Sequence, residues 1–171
     1  KLQRIASSSK QHPERAWNTL AHHITPEFLA EAFRRTRKDG APGVDGKTAA
    51  DYAERLDENL VALADRFQSG TYRAPPVRRV YIPKDNGKSR PIGIPTIEDK
   101  LLQRAVTMVL EAVYEQDFLD CSYGFRPGRG CKDALRRVDR LLQQGYVHVV
   151  DADLKGYFDS IPIDIDEAGR V

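Results

Sequence analysis

Tyr146-Val-His-Val-Val-Asp-Ala-Asp-Leu-Lys-Gly-Tyr-Phe-Asp159 is the stretch on which the fold turns. An apolar run leads into two aspartates one residue apart, and a Gly, two aromatics and a third Asp follow at once. The pattern predicts a strand over 146–154, buried on at least one face. In a strand, residues i and i+2 point to the same side, so Asp151 and Asp153 would face one cleft. Hard carboxylate oxygens at a strand tip suit Mg²⁺.

Upstream, the chain reads mainly as helices. Thr25-Pro26-Glu27 is a helix start, with a cap, Pro at the first position and a carboxylate in the first turn. That helix is expected to run to about Lys38. Asp39-Gly-Ala-Pro-Gly-Val-Asp-Gly46 is a loop, with three Gly and one Pro in eight residues. Thr48 is expected to cap one long helix, with Ala53, Leu56, Leu60, Leu63 and Phe67 on its inner face, ending at Ser69-Gly70. Val77–Pro83 and Arg90–Pro95 read as two short strands. Asn-Gly in the connection Lys84-Asp-Asn-Gly-Lys88 makes them a hairpin with a basic tip. Thr96-Ile-Glu-Asp99 has capping-box spacing. The helix after it turns Ile97, Leu101, Ala105, Met108, Val109 and Ala112 inward and stops by about Gln116. Ser122–Gly130 is a basic loop. A further amphipathic helix over 131–144 carries Cys131, Leu135, Val138 and Leu142, with Gly145 as its stop. The fold class is therefore α+β: helices packed with a β-hairpin and a short, mainly antiparallel sheet.

The 171 residues suffice for one domain with a core, or for one domain and part of another. With 40% hydrophobic and 30% charged residues, the chain is globular. No apolar run approaches the ~18 residues of a membrane span, and the first residues lack a signal-peptide core. Cys121 and Cys131 have no metal-ligand spacing and read as free thiols, which points to a reducing cytoplasm. The net charge of +2 hides a pattern. Residues 71–90 hold 6 Lys/Arg against 1 Asp/Glu, residues 125–140 hold 6 against 2, and residues 151–171 hold 2 against 6. Basic blocks beside an acidic tip fit a protein that holds a polyanion and sets metal next to it.

Four segments carry chemistry, and each has a plain structural alternative. Asp151 and Asp153 match two-metal phosphoryl transfer, in which shared carboxylates hold two Mg²⁺ ~3.5–4 Å apart; the alternative is two solvated acids capping a turn. Tyr157, four residues after Asp153, is placed to lie under a sugar and exclude a 2′-hydroxyl; the alternative, stronger for Phe158, is a core aromatic. Lys84 and Arg90 on the hairpin arms offer a point charge and a bidentate fork to a triphosphate; the alternative is an exposed charged hairpin. Tyr123, Phe125, Arg126 and Arg129 offer stacking faces and phosphate contacts for a single strand; the alternative is a loop whose aromatics plug the core.

Taken in order, Ala41-Pro-Gly-Val-Asp-Gly46, Ile82-Pro-Lys84 through Arg90-Pro-Ile-Gly-Ile-Pro95, Ser122-Tyr-Gly-Phe-Arg-Pro-Gly128 and Val150–Asp159 resemble the reverse transcriptases of bacterial group II introns. The resemblance covers roughly residues 25–162. It implies a right-hand polymerase fold, of which this chain is the fingers and the start of the palm. The implied organisation is a basic N-terminal extension at 1–24, fingers with the start of the palm at 25–145, a palm strand with the first catalytic Asp motif at 146–162, and a divergent tail at 163–171. It also implies that Asp153 is the first catalytic aspartate and that Leu154 lends its backbone carbonyl to the metal. Asp151 is a secondary ligand candidate. Lys84 and Arg90 match the family's triphosphate pair, and Tyr157 stands at the sugar-gate position. The arm at 1–24 matches a segment that helps to hold template and intron RNA.

The implied partners are an RNA template, intron RNA, a DNA primer and deoxynucleoside triphosphates, with Mg²⁺ as cofactor. The family's second metal motif, aromatic-Ala-Asp-Asp, does not occur in this sequence. The chain also lacks an initiator Met, so it reads as a piece of a longer protein or an engineered chain. It is expected not to polymerise alone, and to self-associate through its uncovered apolar surface. Two other readings stay open. One is an RNA-binding module that aids intron splicing without polymerising. The other is a nucleotide-sugar transferase using Asp151-Ala-Asp153, which would require a doubly wound sheet before those acids.

Overall fold

A computed structural model describes residues 2–83, 87–154 and 157–160, without the side chains of Phe158 and Asp159. The chain divides into two compact units, residues 1–120 and 121–171.

In the first unit, α1 (Leu2–Gln11) lies on α5 (Ile97–Tyr114), which also packs on α2 (Pro26–Arg35). Helix α4 (Leu56–Gln68) covers α2 from another side. Leu29, Leu63 and Leu101 are wholly buried where these helices meet, with Ile5, Phe33, Leu60, Ala105 and Met108 around them. The caps follow the sequence. Thr25 Oγ1 accepts from Phe28 N at 3.3 Å with Pro26 at the first position, and Thr96 Oγ1 accepts from Asp99 N at 3.3 Å. The inner face of α5 is the expected one, with Ala112 only partly buried and Val113 more so.

Two helical expectations need correction. Helix α2 ends at Arg35, not near Lys38. Thr36 turns extended, its hydroxyl donates to Ala32 O at 2.8 Å, and the Lys38 ammonium folds back onto the Phe33 and Thr36 carbonyls. A lysine on the last free carbonyls is a favourable C-terminal arrangement. The long helix expected after Thr48 is broken into α3 (Ala49–Ala53) and α4 by a turn at Glu54–Arg55. The break lets Tyr52 point inward while Ala53 stays exposed, and Asn59 Nδ2 ties the joint by donating to Tyr52 O at 2.9 Å.

The hairpin forms as read: β1 (Arg78–Pro83) and β2 (Ser89–Ile94) pair antiparallel, with Arg78 opposite Ile94 and Ile82 opposite Arg90. Its tip at residues 84–86 lies outside the described residues, and Gly87 has φ 74°.

The second unit contains the loop 121–130, α6 (Cys131–Gln143), an irregular run at 146–154 and the short α7 (Tyr157–Ser160). Gly145, φ 91°, stops α6 as expected. The strand expected over 146–154 is not formed, and burial of a face is overturned as well: Val147, Val149 and Val150 are 70%, 80% and 93% exposed. The physical reason is pairing. A strand needs a neighbour for its N–H and C=O groups, and among the described residues the only sheet is β1 with β2. The apolar side of α6 is likewise open, with Leu135, Val138 and Leu142 all exposed. The sheet is thus the antiparallel hairpin alone among the described residues. No doubly wound sheet precedes Asp151 there, contrary to what a nucleotide-sugar transferase would require. No described helix is long and apolar enough to cross a membrane.

Candidate active site and nucleic-acid interface

The hairpin is fixed at its two roots. On the entering side, the Tyr72 hydroxyl donates to Asp99 Oδ1 at 3.0 Å, and Gln103 Nε2 donates to the other oxygen at 2.7 Å. Burial, then the bond to Asp99, pushes the Tyr72 phenol above its ordinary range. Beside it, Arg66 Nη2 donates to Glu98 Oε2 at 2.8 Å, and the guanidinium is held above its ordinary value by that bond. On the leaving side, Ile94 runs through Pro95 into the Thr96 cap of α5. The first turn of α5 therefore follows the leaving strand directly and holds Tyr72, six residues ahead of the entering one. Arg90 stands exposed on β2, opposite Ile82. Lys84, its expected companion, lies outside the described residues.

The loop 40–46 packs onto the same roots. Lys100 Nζ donates to Ala41 O at 2.7 Å, and Arg78 Nε donates to Pro42 O at 3.0 Å. Gly43 is buried, and a Cβ there would lie 2.6 Å from both Thr96 Cα and Thr96 N. Sequence reading marked this segment as a loop but missed its anchors. The partners are 36 and 59 residues away, beyond any local pattern.

In the second unit, Asp151 and Asp153 are exposed, as is Leu154. Carboxylate and backbone carbonyl oxygens, which these residues carry, are the hard kind of donor that Mg²⁺ takes. Among the described residues no group of three or more His, Cys, Asp or Glu side chains gathers to hold a metal, so these donors are part of a cage at most. Tyr157 opens α7 and is half exposed.

The loop 121–130 treats its candidates differently. Arg126 is buried and its Nη1 donates to Ser122 O at 3.0 Å, closing the loop on itself. The Arg129 guanidinium sits 5.9 Å from the Tyr123 ring centroid, within cation–π range. Phe125 is fully exposed and has φ 57°. A left-handed aromatic residue is strained by roughly 1–2 kcal/mol, so the loop holds this ring out at a cost. Asp133 Oδ2 accepts from Gly130 N at 3.1 Å and starts α6. Cys121 and Cys131 are both free and exposed.

The family model described as reverse transcriptase (RNA-dependent DNA polymerase) matches residues 82–168. That span holds Lys84, Arg90, the loop 121–130, Asp151, Asp153 and Tyr157. Among curated proteins, Protein YkfC of Escherichia coli is 43% identical over 166 residues, covering 92% of this chain and 44% of that protein. The group II intron-encoded protein LtrA of Lactococcus lactis is 36% identical over 165 residues, covering 94% of this chain and 27% of that protein. Nuclear intron maturase 2, mitochondrial, of Arabidopsis thaliana is 31% identical over 120 residues, covering 62% and 16%. The chain spans less than half the length of these relatives.

Proposed function

From the premise that the chain belongs to the reverse transcriptase (RNA-dependent DNA polymerase) family and resembles its group II intron-encoded members, we propose that it forms the fingers and the start of the palm of an RNA-directed DNA polymerase with intron maturase activity. The observation that carries this reading is the family match across 82–168, which takes in Lys84, the returning arm of the hairpin with Arg90, and the aspartates. In the reaction, a primer 3′-hydroxyl oxygen bonds to the α-phosphorus of a deoxynucleotide, the bond to the β-phosphate oxygen breaks, and pyrophosphate leaves.

Each candidate residue has one task. Lys84 and Arg90 hold the triphosphate, the fork of Arg90 fixing its orientation. The Asp153 carboxylate and the Leu154 carbonyl supply hard oxygens to Mg²⁺, with Asp151 as an auxiliary. These oxygens would hold Mg²⁺, which would supply neutralisation of the charge that develops on the reacting oxygens. Tyr157 stands against the sugar and rejects a 2′-hydroxyl. Phe125 stacks on a base of the template, Arg129 contacts its phosphates, and Arg126 keeps the loop in shape as well as adding charge.

The proposed division is the N-terminal extension 1–24, which contacts template and intron RNA, then 25–145, 146–162 and the tail 163–171. The tail lies outside the described residues. The location is cytoplasmic. With no aromatic-Ala-Asp-Asp tetrapeptide in its sequence, the chain by itself does not extend a primer. Its exposed α6 face favours self-association in isolation.

The resemblance to intron-encoded proteins keeps the RNA-binding reading as the rival, and one substitution separates the two. In the complete protein, Asp153→Ala abolishes DNA synthesis on an RNA template and leaves assisted splicing intact. Undiminished synthesis by that variant would remove the polymerase role of Asp153.

A further inference from the structure

The loop 40–46 has no task in the mechanism above, yet it is fastened at three adjacent residues. Two successive carbonyls, Ala41 O and Pro42 O, are each taken by a cation, Lys100 from the first turn of α5 and Arg78 from the first residue of β1. At the next residue, a Cβ on Gly43 would stand 2.6 Å from Thr96 Cα and 2.9 Å from Pro95 C. Those are backbone atoms, which cannot rotate aside as a side chain can. The loop then closes on itself, Gly46 N donating to Gly43 O at 3.4 Å, with Gly46 at φ 68°.

These contacts fall on both roots of one element. Arg78 is where the hairpin begins, and Pro95–Thr96 follows its last residue, Ile94, which pairs with Arg78. The root is itself tight, since a Cβ on Gly93 would lie 2.8 Å from Val77 Cγ2. A short hairpin fastened at its root acts as a lever. Arg90 lies four residues out from Ile94, about 13 Å along the strand at the usual rise. A tilt of about 10° at the root therefore moves the Arg90 backbone by roughly 2 Å. A shift of about 1 Å in a substrate-holding group is enough to be felt kinetically.

We propose that loop 40–46 is a clasp on the hairpin, and that Arg78 and Lys100 are positioning residues which set the angle at which Arg90 meets the triphosphate. The triphosphate half of this inference rests on the proposed function; the clasp itself does not.

The test separates the two. In the 171-residue chain, amide hydrogen exchange compares wild type with Arg78→Met, an exposed change, and Lys100→Met, a half-buried one, both of which keep the side-chain length. The clasp predicts faster exchange at Gly46 and in the β1–β2 ladder, with α2 and α4 unchanged. Unchanged exchange at the ladder would overturn it.

In the complete protein, Arg78→Met is expected to raise KM for deoxynucleotide roughly tenfold with a smaller change in kcat, because it misplaces a binding group and removes none. Template–primer affinity stays the same, and Arg78→Lys, which keeps a donor, recovers most of the loss. Gly43→Ala combined with Arg78→Met is no worse than Gly43→Ala alone, since both open the same contact. A normal KM in Arg78→Met, while Arg90→Ala raises it, overturns the positioning role and leaves the proposed function standing. If Arg90→Ala itself leaves KM unchanged, the triphosphate reading fails and takes the positioning role with it, whatever hydrogen exchange reports of the clasp.

Discussion

Tyr72→Phe isolates the bond that ties the segment leading into the hairpin to α5. The substitution keeps the ring, over which the Arg66 guanidinium sits at 5.8 Å, and removes only the hydroxyl that donates to Asp99 at 3.0 Å. Asp99 is buried at 6% exposure and keeps its second donor, Gln103, at 2.7 Å. The carboxylate is thus weakened and not orphaned, which holds the loss to about 1–2 kcal/mol. For a unit of this size that is a fall in Tm of roughly 3–10 °C. Asp99→Ala should cost more, about 2–4 kcal/mol, because it strands two donors and removes a carboxylate from the start of α5. Thermal and urea unfolding of both variants measure the order.

An alkaline scan adds a second signature. The Tyr72 phenol is raised above its ordinary value of 10.0 in the folded chain, by burial first and by the bond to Asp99 next. A group raised on folding stabilises fully below its unfolded value and loses that contribution as pH climbs toward the folded one. Stability should therefore decline above pH 10, and Tyr72→Phe should flatten that decline, leaving the part due to Tyr52, which burial also raises. Equal stability of Tyr72→Phe and wild type, or an Asp99→Ala variant no weaker than Tyr72→Phe, would refute the account of the root.

Leu101→Ala, fully buried in the second turn of α5, should cost about 3–5 kcal/mol in urea unfolding by leaving a cavity in the core; a loss under about 1 kcal/mol would mean that the core is not packed as described. On the acid side, Asp51 is held below its ordinary 3.8 by the Thr48 backbone N–H and then the Thr48 hydroxyl. Its contribution is present above that value and lost as pH falls through the lower folded one. Asp51→Asn should therefore melt earlier than wild type at neutral pH and converge with it in acid; parallel curves would count against the capping box. In the complete protein, Tyr157→Ala should raise ribonucleotide incorporation by about tenfold or more while deoxynucleotide use persists, and unchanged sugar selectivity would end the sugar-gate assignment.

Local signals in this sequence were readable because their causes are local. Thr25-Pro26, Thr48 and Thr96 each cap the helix they precede, and the Asn-Gly connection separates two strands that do pair. The failures have non-local causes. Glu54–Arg55 carries no breaker residue, yet the helix breaks there so that Tyr52 can turn into the core. The run 146–154 has every propensity of a strand, but a strand is made by its neighbour, and none of the described residues supplies one. The burial of Arg126 against its own loop's backbone at Ser122 was likewise not legible from composition. The anchors of loop 40–46 were invisible for the same reason, since Arg78 and Lys100 find their carbonyl partners only once the chain has folded.

The central claim is that the Asp153 carboxylate is a hard-oxygen ligand of the catalytic metal, and exchanging the ligand chemistry tests it most directly. In the complete protein, Asp153→Cys replaces carboxylate with a soft thiolate, which disfavours Mg²⁺ and accepts softer ions. Primer extension on an RNA template is predicted to vanish for this variant in Mg²⁺ and to return in part when Mn²⁺ or Cd²⁺ is supplied. Wild-type extension by Asp153→Cys in Mg²⁺ alone would contradict the claim.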